Sequence, residues 1–172
     1  MIRARWTGTA LEPCNGYSRR VCKDRLQIGE IVGLEVERDR SEKSHKAQFA
    51  EIRRAWLNMP ESMSEAPYAK SPDALRKHAL CATGYCHIET IDCGSDEAAE
   101  RVASSMRRDG FKAWGYCVVV LRGPLVTRYT PRSQSVQAMG AAEFEESKER
   151  ALTYIAQLLD VSRSDLKNGV SA

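Results

Sequence analysis

Apolar positions change their period several times along the chain, and each change marks an element. Over 27–38, Val32, Leu34 and Val36 alternate with Gly33, Glu35 and Glu37, the two-residue period of a half-buried strand. Asp39, Arg40, Ser41 and Glu42 then supply cap candidates and early acids, so a helix is expected from Ser41 through Trp56, stopping short of Pro60. Ser71-Pro72-Asp73 predicts a second helix, with serine as cap and proline at its first position, ending near Gly84. Between them, 59–70 reads as a loop.

Further on, 87–91 reads as a short strand. Ser95 caps a third helix that aligns Ala98, Val102 and Met106 and is expected to end at Gly110. Residues 116–121 form a continuous valine-rich run, as expected of a central strand, and Gly123-Pro124 turns it into another strand over 125–129. A polar turn over 131–135 leads to a long helix over 141–160 with Phe144, Ala151, Ile155, Leu158 and Leu159 as its core stripe. The chain start predicts an edge strand within 3–11 followed by loop, and the residues after Val161 predict a frayed tail. The order β-β-α-α-β-α-β-β-α implies a single α/β (α+β) domain: a mixed, mostly antiparallel sheet with about four helices. Its parts are a strand and loop segment over 1–25, a core over 26–161 and a tail over 162–172.

Composition narrows the class. With 42% apolar and 28% charged residues the chain is globular in character, not disordered. It has no run of ~20 apolar residues, so no membrane association is expected. The basic start lacks an apolar stretch behind it, which predicts a cytoplasmic protein without a signal peptide. Six cysteines are then expected as reduced, mostly buried thiols. A net charge of +3 permits nucleic acid as a partner without requiring it, so the placing of the cations decides.

On the helix from Ser41 to Trp56, His45, Phe49, Ile52 and Trp56 fall within about 60° of one another, while Lys43, Lys46, Arg53 and Arg54 share the opposite side. Such a stripe can follow a phosphate backbone, with Arg38 and Arg40 extending it, and it can equally be a solvated face. In the turn over 131–135, Arg132, Ser133 and Gln134 combine a cation with a hydroxyl and an amide. That set suits phosphates or bases, and it also suits a polar helix start. His78, Cys81, Cys86, His87 and Cys93 are possible zinc ligands, but the four-residue gap between Cys81 and Cys86 only borders the usual pair spacing, and Cys81 falls inside a predicted helix, where it suits the core. Cys86 and His87 would also point to opposite faces of a strand, so only a weak zinc candidate remains in Cys81, Cys86, His87 and Cys93.

Catalytic signatures are poor. Cys86 and His87 fail on direction as nucleophile and base. Glu35 and Glu37 project to solvent, with Asp39 and Glu42 beyond them, and no second carboxylate cluster completes a metal site. Glu143, Glu145 and Glu146 complement a helix N-terminus. No P-loop or G-x-G-x-x-G occurs, so neither an enzyme nor a cofactor is expected.

Two stretches carry a family resemblance. Arg38-Asp39-Arg40-Ser41, followed by Ser44-His45-Lys46 and Phe49, leads from a strand into a helix. Later, Ser133-Gln134-Ser135 is followed by Met139, Glu143 and Phe144 and a long helix. Together they resemble the NinB (lambda Orf) family of phage recombination proteins, and a related group of uncharacterised phage and prophage proteins. Arg40, Ser41, Ser133, Met139, Glu143 and Phe144 match best, while Ser44 and His45 stand where the family has Gln and Asn. The likeness spans a third to two-fifths of the chain.

It implies an α/β homodimer that binds DNA, preferring single strands, and helps load recombinase beside a host recombination or single-strand-binding protein. The reading that follows is a non-enzymatic DNA-binding accessory protein. Arg38, Arg40, Ser41, Lys43, Lys46, Arg53, Arg54, Arg132, Ser133 and Gln134 would meet the backbone, with little sequence preference and no exposed aromatic platform. The alternative is a protein-interaction module that modulates a host factor through its long C-terminal helix and never touches nucleic acid.

Overall fold

The computed structural model describes residues 2, 4–33, 42–135 and 137–168, with side chains for all of these except 42, 43 and 168. Among the described residues, six α-helices accompany two antiparallel sheets, one of two strands and one of three. The α+β mixture matches expectation, but two small sheets replace the single larger one. The chain divides into two compact units, Met1–Glu37 and Arg38–Ala172. No described helix is long and apolar enough to cross a membrane.

In the first unit, β1 (Ala4–Trp6) pairs antiparallel with β2 (Leu11–Pro13), setting Trp6 opposite Leu11. Gly8 at φ 103° makes the turn, and the Thr7 amide and hydroxyl both donate to the Ala10 carbonyl. A helix, α1 (Gly16–Arg25), stands where loop is expected. It starts where the Asn15 side chain accepts from the Ser18 amide at 2.8 Å. Its residues are too polar to show an apolar stripe, so the cap was its only sequence signal. Residues 27–33 form no strand. Positions 34–38 of the expected strand lie outside the described residues.

In the second unit, α2 (Glu42–Leu57), α3 (Pro72–Ala82) and α5 (Ala141–Leu158) pack around one core. Ile52, Leu75, Leu80, Phe144, Leu152 and Ile155 are fully enclosed there. Ser71 caps α3 by accepting from the Ala74 amide, with Pro72 in the first turn as the sequence indicates. The segment after α2 is packed, not loose. It forms two short 3-10 turns, Glu61–Met63 and Pro67–Lys70, and the second is pinned by Trp56, whose Nε1 donates to the Ala69 carbonyl at 2.6 Å. Met59, Met63 and Tyr68 lie against the core. The expected frayed tail is in part a docked helix, α6 (Arg163–Asn168), because Leu166 reaches the same core and is 3% exposed.

The three-stranded sheet joins β3 (Cys86–Asp92), β4 (Val118–Arg122) and β5 (Leu125–Pro131) in the order β3-β5-β4. The valine run is therefore an edge strand, and β5 is central. This follows from the tight hairpin at Gly123 (φ 58°) combined with β3 pairing on the free side of β5. One face is covered by α4 (Asp96–Trp114), whose Ala99, Ala103 and Met106 pack on Val126. This helix runs four residues past its expected end. Gly110 sits inside it because a Cβ there would lie 2.5 Å from Cys117 Sγ, so the glycine permits close packing and does not stop the helix. Gly115, at φ 69°, is the true C-cap.

Candidate nucleic-acid interface

The sequence assigns α2 an apolar face through His45, Phe49, Ile52 and Trp56. The buried face is rotated from that: Gln48, Ile52 and Ala55 turn inward, and Phe49 is 38% exposed. The amide of Gln48 explains the rotation, since it donates to Gln134 Oε1 inside the protein. Lys46 and Arg53 lie on the exposed side with Phe49, one turn apart from it in either direction. Arg54 is half-buried and committed to α6, donating to the Lys167 carbonyl at 2.9 Å. The Lys43 side chain, and Arg38, Arg40 and Ser41, lie outside the described residues.

The turn after β5 separates its three predicted contacts. Arg132 is half-exposed and pairs with Glu143 at 2.7 Å, while its amide donates to the Tyr85 carbonyl. Ser133 is exposed, and its Oγ accepts from the Ser135 amide. Gln134 is 4% exposed. Its Oε1 accepts from Arg76 at 2.9 Å and from Gln48 at 3.3 Å, and its Nε2 donates to Ser147 Oγ at 2.8 Å. One buried amide thus ties α2, α3 and α5 to the turn. Its role in the fold is to hold the turn in place, behind the surface that Arg132 and Ser133 present.

A cleft of about 470 Å³ opens beside this turn, a size typical of small-ligand sites. Phe49 from α2, Arg76 and Lys77 from α3, His87 from β3, Trp114 from the end of α4 and residues 131–135 line it, with His45. None of these lining residues is a carboxylate. Arg76 and Lys77 are both held by Asp73, at 2.8 Å each, and Lys77 Nζ also donates to the Trp114 carbonyl at 2.8 Å. Burial pushes the Asp73 carboxyl up, but hydrogen bonds from Lys77 and Arg76 and their charges outweigh it and hold it below its ordinary range. Trp114 is 41% exposed, with the Arg128 guanidinium 5.2 Å from its ring centroid, and Arg76 sits 5.4 Å from that of Phe49.

Exposed rings at a basic cleft were not legible in the sequence. The helical period puts Phe49 on the core face, and a helix stop at Gly110 puts Trp114 beyond the end of α4. Gly115 was the available signal, as a C-cap directly after the tryptophan.

The zinc candidates do not converge. Cys86 and Cys93 lie seven residues apart along and just past β3, about 23 Å at strand rise, too far to share an ion. Cys81 Sγ contacts the Tyr129 carbonyl and Cys86 Sγ the Cys81 carbonyl, while His87 faces the cleft. Burial pushes the Cys81 thiol up to about 12, with Cys86 and Cys117 adding to the effect. Among the described residues, no three His, Cys, Asp or Glu side chains gather as a metal site. Comparison with known proteins finds no matching family model, curated protein or solved structure.

Proposed function

We propose that this chain binds nucleic acid, preferring single strands, as a non-enzymatic accessory of phage-type recombination or replication in the cytoplasm. The observation that carries this reading is the cleft in which Phe49 and Trp114 lie exposed beside three cations, Arg76 and Lys77, which share Asp73, and Arg132, which pairs with Glu143. Non-specific single-strand binders combine these two things, rings on which bases stack and cations that follow the backbone. Lys46 and Arg53, on the same exposed side of α2 as Phe49, lengthen the basic track. The resemblance to the NinB family points the same way, and with it come a homodimer and a host recombination or single-strand-binding protein as partners.

The test is fluorescence anisotropy of labelled single- and double-stranded oligonucleotides at low and physiological salt, with wild type and the Lys46→Ala/Arg53→Ala double variant. Wild type should favour the single strand and weaken steeply with salt. The double variant should bind more weakly, with a log–log salt slope smaller by about 1.4, two single-strand phosphate contacts' worth. Absence of any salt-sensitive complex at micromolar protein would overturn the proposal in favour of the protein-interaction module.

A further inference from the structure

We infer that the cleft takes one unpaired nucleotide, its base against Trp114 and its phosphate at Arg132 with the hydroxyls of Ser133 and Ser135. This deepens the nucleic-acid reading and rests on it for its physiological sense, but it makes a separate claim about a single mononucleotide subsite.

Size sets the first condition. About 470 Å³ holds one small ligand, and a base still in a duplex would bring its partner strand to the mouth. An unpaired base enters without that obstacle, which gives single-strand preference a steric origin.

Rigidity sets the second. A ring that receives a base loses least entropy if it is already fixed. The Trp114 carbonyl is held by Lys77, and its ring lies by Arg128, which itself donates to the Met106 carbonyl and pairs with Glu89. Phe49 lies by Arg76, locked in turn by Asp73 and Gln134. Both rings are positioned, yet more than a third of each residue stays open.

Charge sets the third. Arg76 and Lys77 are engaged with Asp73 and keep the cleft positive without reaching out. Arg132 differs: its side chain is 34% exposed, and its partner Glu143 39%. Such a surface pair holds weakly, so a phosphate, with more charge and more acceptor oxygens, can take the guanidinium from the carboxylate. The exposed hydroxyls of Ser133 and Ser135 lie in the same rim. Base recognition here is stacking, so adenine should bind better than uracil without strict selection.

The experiment uses the full chain with AMP, adenosine and a labelled oligo(dA) as probes. AMP should saturably shift the indole N–H resonance of Trp114, assigned by its loss in Trp114→Phe, and should bind more tightly than adenosine. Arg132→Ala should erase that difference. Trp114→Ala should weaken oligo(dA) binding about 5- to 150-fold, and Trp114→Phe should restore most of it. Circular dichroism and thermal melts verify that Trp114→Ala folds; if it does not, the AMP titration and Arg132→Ala decide. Normal oligonucleotide binding by folded Trp114→Ala, with no AMP shift, overturns the subsite and leaves the general nucleic-acid reading standing. AMP bound at Trp114 without any oligonucleotide complex supports the subsite and removes that reading.

Discussion

Lys77 Nζ reaches the carbonyl oxygen of Trp114 at 2.8 Å, so a residue of α3 closes the C-terminal end of α4. A cation at this end meets carbonyls left without intrahelical partners and the negative pole of the helix. Replacing Lys77 with methionine keeps the stem and removes both terms, together with the ion pair to Asp73. It should cost about 1 kcal/mol in urea denaturation, and the loss should shrink with added salt. Unaltered stability would mean the contact is solvent-equivalent.

Gly115→Ala tests the same corner from the other side. The residue sits at φ 69°, and a Cβ would come within 2.9 Å of Lys77 Nζ. A left-handed alanine costs about 1–2 kcal/mol by itself, and displacing Lys77 adds to it. In the Lys77→Met background the added part should vanish, which a double-mutant cycle would measure.

Gln134→Ala should be among the more damaging polar substitutions. It strands hydrogen-bonding groups of Gln48, Arg76 and Ser147 at once. We expect a loss of about 2–4 kcal/mol in equilibrium unfolding, since buried groups deprived of partners bear their desolvation unrelieved. A loss below about 0.5 kcal/mol would show that water replaces the amide readily.

His78 gives the fold a pH dependence. Its ring nitrogens lie 2.8 and 3.0 Å from the hydroxyls of Tyr116 and Tyr154, and burial holds the imidazole below its ordinary 6.5. As pH falls past the unfolded value, the unfolded chain takes up the proton first, so stability declines from about pH 6.5 downward until the folded value is passed. His78→Gln should remove this part of the slope, read from urea midpoints between about pH 5 and pH 8. An identical pH profile in the variant would exclude His78 as its source.

Leu166→Ala measures how firmly α6 belongs to the fold. The side chain is 3% exposed in the main core, and Arg163 pairs with Glu51 at 2.9 Å nearby. Truncation should cost about 2–4 kcal/mol, as for other buried leucines, whereas a frayed tail would tolerate it.

Much of the fold was legible because its signals are local. Ser71-Pro72 and Ser95 announce α3 and α4, and the Phe144 to Ile155 stripe announces α5. The failures share a cause: the deciding partner is distant in sequence. Gly110 resembles a helix stop until Cys117 is packed against it. Gln48 resembles a surface residue until Gln134 arrives from 86 positions away. That meeting rolls α2 about its axis, turns Phe49 outward and leaves Lys46 and Arg53 on the same side. The basic residues of the stripe could be named from the sequence, but the aromatic surface among them could not.

The position of β3 at the rim of its sheet has a consequence for how the molecule behaves in a crowd. Among the described residues no strand pairs with its outer side, and six of its seven residues are exposed. An open rim of this kind invites a neighbouring chain to extend the sheet. Glu89 stands at the middle of the strand, so two copies pairing head to tail about that centre would bring like charges face to face. Glu89 is tied to Arg128 of the central strand, so its repulsion is partly cancelled, and the Glu89–Arg128 pair together with Asp92 at the strand's end sets the charge that an approaching copy would meet.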